Sequence, residues 1–404
     1  MLSMNTLTPK KMHLFLFFTF VFNVFASFVH PVTPTFIVER GLDASMFGVA
    51  LAAMNTMFFL FSPLWGKLCN YIASKKVYLI CATGYALGQV IFMLARTEAV
   101  VVMGRMFAGI FTGGCYTAIS NQTVNTSAGG MQEKNKNLTL METLHMIGSA
   151  VGYFLGGFAG LISVETAFLC QIIGLFSCGI LIFAFSVDDT DHKYIPKEKL
   201  TVRDVNPFSA FKAVRSFATP LFIMIFAIVA ISSLGQNSYE QCFNYFIKDQ
   251  FGMTSAYNGT FKAIIAVITL VLNMTVCMHL QRKTDINKTF IYVLLACTSL
   301  ILTILIFRGQ ILFVVIYILY SSVNAIRTPI LQSMCANRAT PETSNNVMGF
   351  YQSMNSLGGI FGALFAGLIY KANPMLPFIL AFAAYLISLL IGLLYRRGYA
   401  AGKK

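Results

Sequence analysis

The sequence is short of charge above all. Only 11% of its 404 residues are Asp, Glu, Lys or Arg, where soluble domains carry about a quarter. With 57% hydrophobic residues and a mean hydropathy of +0.71, an ordinary soluble fold is excluded, because a core of this size cannot hide so much apolar surface. Lipid as solvent removes the difficulty. The phosphate-cradling pattern G-x-x-x-x-G-K-[ST] is missing, which excludes a motor driven by that nucleotide loop. The nine cysteines (69, 81, 115, 170, 178, 242, 277, 297 and 335) form no CxxC and no Cys/His cluster with metal spacing. They read as small buried hydrophobes. No Ser/His/Asp set falls in one plausible site, so neither an enzyme nor a metal or other cofactor is expected.

Acidic residues are the scarcer charge: 15 against 29 Lys and Arg, for a net charge of +14. In a soluble protein that balance would point to nucleic acid. Here the basic residues sit between apolar runs, so the balance reads as membrane topology and nucleic acid is not expected as a partner.

What is present is a series of apolar runs long enough to cross a bilayer, which takes about 20 helical residues. They cover 12–35, 45–66, 77–95, 99–121, 138–161, 165–186, 217–247, 255–279, 288–307, 310–333, 344–369 and 374–395. An all-α membrane protein with twelve transmembrane helices follows. An even number of spans puts both termini on one side. One set of loops and tails holds 21 of the Lys and Arg residues and the other set only Arg40, Arg96, Lys248, Arg308 and Lys371. The positive-inside bias therefore predicts cytoplasmic termini in a cell membrane. Arg105, Lys262 and Arg327 are left inside spans.

The one long polar stretch, 187–216, divides the spans six and six. It reads as a cytoplasmic linker between an N-terminal bundle (1–186) and a C-terminal bundle (217–404) that move against each other. The pieces FAGLI at 158–162 and FAGLI at 365–369 hint at a duplicated half.

Four segments resemble one family. The turn Gly66-Lys67-Leu68-Cys69-Asn70-Tyr71-Ile72-Ala73-Ser74-Lys75-Lys76 is similar to G-x-L-x-D-x-x-G-R-K, with Asn70 in place of the aspartate. Arg105-Met-Phe-Ala-Gly109-Ile-Phe-Thr-Gly113 is similar to R-x-x-x-G-x-x-x-G. Gly148-Ser-Ala-Val-Gly152-Tyr153-Phe-Leu-Gly156-Gly157 keeps the glycines of G-x-x-x-G-P-x-x-G-G, with Tyr153 at the proline. Tyr239-Glu240-Gln-Cys-Phe243-Asn244-Tyr245-Phe246 and Asn324-Ala-Ile-Arg327-Thr-Pro329 resemble helix segments of bacterial multidrug exporters, with Asn324 where an aspartate usually stands. The chain thus resembles the major facilitator superfamily and, within it, the twelve-span drug–proton antiporters. The resemblance implies two pseudo-symmetric six-helix bundles and alternating access. It links Arg105 to proton transfer and makes Gly66, Asn70, Lys75 and Lys76 a gating turn.

Residue chemistry adds to this. Glu240 is an intramembrane carboxylate, a functional candidate by default that can bind and release a proton. Gln236, Glu240 and Asn244 fall on one helical stripe. Arg327 can hold an anionic group of a substrate or pair with a carboxylate. Glu142, His145 and Ser149 share a face and read as part of a gate, to which Gly148 and Gly152 also belong as sites of tight helix contact. His30 precedes Pro31 and reads as a packed histidine at a helix end. Polar and aromatic residues expected to line a central cavity are Asn23, Asn55, Tyr116, Gln236, Phe243, Asn324, Arg327, Tyr351, Gln352 and Asn355. The expected function is proton-coupled export of amphipathic, drug-like small molecules by a monomer in the bilayer. The alternative is proton-coupled uptake or exchange of a polar or anionic metabolite.

Overall fold

A computed structural model describes residues 9–401 except 44–45, 128–129, 188, 190–205, 253–254, 308 and 371. The side chains of Asn244, Tyr245 and Lys248, and residues 188 and 190–205 of the 187–216 linker, fall outside the described residues. The described residues are helical throughout, without strands. The helices are α1 (Pro9–Ser27), α2 (Thr33–Glu39), α3 (Met46–Leu68), α4 (Ser74–Met93), α5 (Glu98–Asn125), α6 (Gly130–Ile162) and α7 (Val164–Phe185). They continue with α8 (Pro207–Lys212), α9 (Pro220–Asp249), α10 (Ser255–Leu272), α11 (Met278–Lys283), α12 (Ile286–Ile306), α13 (Gln310–Arg338), α14 (Ser344–Tyr370) and α15 (Leu376–Ala401).

Among the described residues eleven helical stretches are long and apolar enough to cross a membrane, with Met12–Ser27 as a shorter apolar helix. That first span is short because the chain turns at 28–32 and restarts as α2, where Pro34 at the first turn costs no hydrogen bond. Counting α1 and α2 as one crossing gives the expected twelve. A five-residue π-helical segment, Asn273–Cys277, joins α10 to α11 inside the 255–279 run. The expected long seventh span is one uninterrupted helix of 30 residues, α9. Gly235, in the middle of it, admits the Tyr385 ring: a Cβ there would lie 2.9 Å from it.

Large apolar side chains cover the outside. Leu161 and Ile311 are each 82% exposed, and Leu and Ile residues of α7, α12 and α15 line outward faces, as a lipid solvent allows.

The chain divides into two compact units. One comprises residues 1–217 with 336–353, the other 218–335 with 354–404. Two glycine ladders position the first unit. Gly109 and Gly113 of α5 meet the α3 backbone at Met54 and Phe58, and Gly148, Gly152 and Gly156 of α6 meet α1 and the turn after it at Phe20, Val24 and Phe28. A Cβ at Gly109, Gly148, Gly152 or Gly156 would collide with a carbonyl oxygen, and one at Gly113 would lie 2.7 Å from the Ser62 hydroxyl, so glycine is what permits such close crossings. Phe36, Phe92 and Phe168 pack at 5.1–5.4 Å between centroids and anchor α2, α4 and α7. Part of the polar linker is ordered as well. Asp189 is fully buried, accepts from the Ser74 hydroxyl at 2.5 Å and its backbone N–H at 3.3 Å, and so caps α4. Helix α8 packs on α3, with Phe211 5.3 Å from Phe59.

In the second unit, Gly358 and Gly362 of α14 meet the α9 carbonyls of Ala230 and Leu234. Tyr239, Tyr317, Phe243, Phe246, Phe313 and Phe378 form a continuous aromatic stack behind α9.

Candidate functional site

A polar network lies in the second unit, along one stripe of α9. Ser232, Gln236 and Glu240 fall at i, i+4 and i+8 and face α13. Arg327 of α13 reaches the first two of them, and each of its nitrogens has an oxygen partner. Its Nε donates to Asn324 Oδ1 at 2.8 Å, one η nitrogen to Ser232 Oγ and the other to Gln236 Oε1, each at 2.5 Å. Gln236 then passes the contact on: its Nε2 donates to Glu240 Oε1 at 2.9 Å. The amide thus bridges a guanidinium and a carboxylate that do not touch directly. Tyr385 of α15 donates to Asn324 Oδ1 at 2.6 Å and receives from Tyr320 at 2.9 Å, which fixes the asparagine that orients Arg327. Lys262 of α10 is the second cation acting on Glu240, beside Arg327. The cluster therefore sets two cations against one carboxylate.

A second network lies in the first unit. Glu142 and His145 of α6 pair at 3.6 Å. The His145 ring lies 5.0 Å from that of Tyr116 in α5, and the Tyr116 hydroxyl donates to Asn23 Oδ1 of α1 at 3.1 Å. A pair expected at a gate and two residues expected to line a cavity are thus one chain of contacts.

Arg105, also in this unit, has different surroundings. It is 5% exposed, with its guanidinium 4.0 Å from the Phe92 ring, 3.4 Å from Thr33 Oγ1 and 3.7 Å from Met54 Sδ. Its Nε has no hydrogen-bond partner, and no carboxylate lies within ion-pair distance among the described residues. His30 stacks on Tyr153 at 5.5 Å, so the residue standing at the proline position of the glycine ladder holds the α1 turn.

The remaining expected residues are spread out. Gln352 donates to Ser120 at 3.1 Å and Tyr351 is buried, both in the first unit, while Asn355 accepts from Ser233 at 2.5 Å in the second. Asn55 is half-buried on α3. Phe243 is fully buried, its ring 3.4 Å from that of Tyr317, so it belongs to the aromatic stack rather than to an open wall. Around the glycine turn, Gly66 touches the α14 backbone at Asn345 and Gly349. Asn70 accepts from Asn345 and donates to Asn346 at 3.1 and 3.0 Å, and Asn345 also accepts from Asn125 at 3.0 Å. Lys75 donates to the Ser186 carbonyl at 3.2 Å, and Lys76 is exposed. The latch at this turn joins neutral amides to the buried Asp189 carboxylate, which accepts from Ser74 and from Asn125 at 3.0 Å.

Sequence reasoning placed Glu240 with Gln236 but looked one turn onward, to Asn244; Ser232, one turn back, carries the contact. The same period of four would have found it. Lys262 was visible as a charge inside a span. Tyr385 had no local signal, because α15 meets α13 only through folding.

These geometries sit in a chain whose residues 15–363 match the sequence pattern of the Major Facilitator Superfamily. The chain belongs to the major facilitator superfamily. As a member it is a multi-pass membrane transporter of small molecules, not an enzyme. It is 22% identical to Multidrug resistance protein 2 of Bacillus subtilis (strain 168), over 94% of each chain. It is 25% identical to the class C Tetracycline resistance protein of Escherichia coli, over 89% of this chain and 91% of that one, and 22% identical to the Quinolone resistance protein NorA of Staphylococcus aureus (strain MSSA476), over 96% and 98%. Its fold matches that of the human organic anion transporter MFSD10 (TETRAN) with a TM-score of 0.77 at 18% identity, covering 95% of this chain and 100% of that one. The transporter FucP in its outward conformation matches with a TM-score of 0.75 at 16% identity, covering 95% and 98%.

Proposed function

We propose that this superfamily member is a proton-coupled exporter of amphipathic, drug-like molecules, working by alternating access between six-helix halves (1–186 and 217–404), with Glu240 as the proton-binding group. The observation that carries the reading is the Arg327–Gln236–Glu240 relay. A half-buried carboxylate linked through one amide to a guanidinium changes the charge balance of its surroundings when it takes a proton. Proton binding then weakens the hold on Gln236 and Arg327 and leaves the guanidinium available to a substrate. A coupling of about 1–3 kcal/mol between the two events is the usual scale for such linkage. Relatives named for multidrug, tetracycline and quinolone resistance support export. The basic-loop count supports cytoplasmic termini in the cell membrane.

The test is flux into liposomes under an imposed pH gradient. Glu240→Gln is expected to abolish gradient-driven movement of cationic dyes while the protein stays folded in the membrane. Undiminished gradient-driven flux in this variant would remove Glu240 from the role.

A second reading has its own observation. Arg327 and Lys262 are two cations inside the spans of the second unit, against Glu240 as the carboxylate of the α9 stripe. Exchange of a small organic anion fits that balance. Accumulation of aromatic carboxylates without dye movement would favour it.

A further inference from the structure

A cleft in the first unit lies apart from both networks. Its volume is ≈ 410 Å³, and it is lined by Asn125, Ser127, Lys134, Asn337, Thr340 and Ser344, among others. It adjoins the glycine turn, because Asn125 bonds Asn345, which bonds Asn70. Gly130 and Met131 in the first turn of α6, Lys134 just after it, and Ser344 at the start of α14 open on it, so two helix N-termini bring their positive ends to one space. Lys134 is the one charged side chain among the described lining residues; its Nζ reaches the Ala336 carbonyl only at 3.4 Å. Ser344 is 6% exposed, and its hydroxyl has no hydrogen-bond partner. The Asn337 Oδ1 is likewise unpartnered, while its amide nitrogen donates to Asn135 at 2.9 Å.

We propose that this cleft binds the phosphate group of a small organic molecule. A phosphate offers oxygens in several directions, and the donors here converge from several: the Lys134 ammonium, the Ser344 hydroxyl and the first turn of α6. A volume in the range of small-molecule pockets leaves room for an organic body beside the phosphate. The phosphate belongs either to a soluble organophosphate or to an anionic lipid headgroup.

The full-length protein in phosphatidylcholine nanodiscs, followed by thermal unfolding, tests this with glycerol 3-phosphate as probe and glycerol as control. Glycerol 3-phosphate is expected to raise Tm saturably and glycerol to leave it unchanged. Lys134→Gln and Ser344→Ala are each expected to weaken the apparent affinity about tenfold, the scale of one hydrogen bond to a charged group, with Lys134→Arg retaining it. Nanodiscs containing phosphatidylglycerol separate the sources. A Tm rise there that Lys134→Gln abolishes, with no further effect of glycerol 3-phosphate, assigns the site to a lipid headgroup. An equal shift in wild type, Lys134→Gln and Ser344→Ala would overturn the proposal, as would no shift from either probe.

Discussion

Two arginines lie buried inside the helices of this transporter, one in each compact unit, and their surroundings differ in kind. Arg327 gives every nitrogen to an oxygen acceptor and is joined through Gln236 to Glu240. Arg105 rests against a phenyl ring, a thioether and one hydroxyl, with its Nε unpartnered. Both positions carry the cost of taking a cation out of water. In the second unit that cost is offset by hydrogen bonds, so the cation is one member of a relay. In the first unit it is offset mainly by the π face of Phe92 and by packing. A cation held loosely by polar contacts can exchange partners at little cost; one woven into a network cannot move without rearranging it.

The largest effect is expected from Arg327→Met. The change strands the Asn324, Ser232 and Gln236 acceptors and leaves Glu240 without the relay, a loss of about 3–5 kcal/mol in the manner of a broken buried pair. Denaturation in detergent measures it, and transport should fall with it. Arg105→Met is expected to cost clearly less, about 1–2 kcal/mol, because a long apolar side chain keeps the packing and forfeits the Phe92 contact and one weak hydrogen bond. Equal losses for the two variants would erase the distinction drawn between the sites. A smaller effect still is expected from Asn324→Asp. The aspartate is isosteric, keeps the acceptor used by Arg327 and Tyr385, and adds a charge opposite the guanidinium. Stability should change by no more than about 1 kcal/mol, while the pH dependence of transport shifts because a second acid now joins the cluster.

Outside the polar clusters, Gly156→Ala probes the first unit's scaffold. Its Cβ would collide with the Phe28 carbonyl, so α1 and α6 must separate, at about 1–3 kcal/mol. Gly157, one residue on, has open space where a Cβ would go, and Gly157→Ala should leave stability nearly unchanged.

Much of the fold was legible because lipid imposes a simple rule: apolar runs of sufficient length must be helices. The spans from 45 to 395 differ from the observed helices mainly at their ends, where α6 and α13 run on into polar residues at Gly130 and Arg338. The glycine spacings at 109/113 and 148/152/156 announced tight crossings but not their partners, since a period of four marks a face without saying what meets it. The site was legible in part for the same reason. Glu240 and Gln236 could be placed on one stripe of α9, whereas Phe243, counted as cavity wall, is sealed in the aromatic stack. An aromatic residue beside a polar stripe looks the same in sequence whether it faces a cavity or a neighbouring helix.

The sequence alone determined that this chain lives in a bilayer, how many times it crosses, and that Glu240, Arg105, Lys262 and Arg327 are charges among apolar neighbours. Those are properties of composition and local period, which every helix carries with it. Tertiary structure alone decided that Arg327 meets Ser232 and Gln236 while Arg105 meets Phe92, that Tyr385 holds Asn324, and that Lys134 and Ser344 share a cleft. These partners lie from 13 (Phe92 and Arg105) to 210 (Lys134 and Ser344) residues apart. What joins them is the rotation and depth at which each helix packs, set by the glycine crossings and ring contacts of all its neighbours at once.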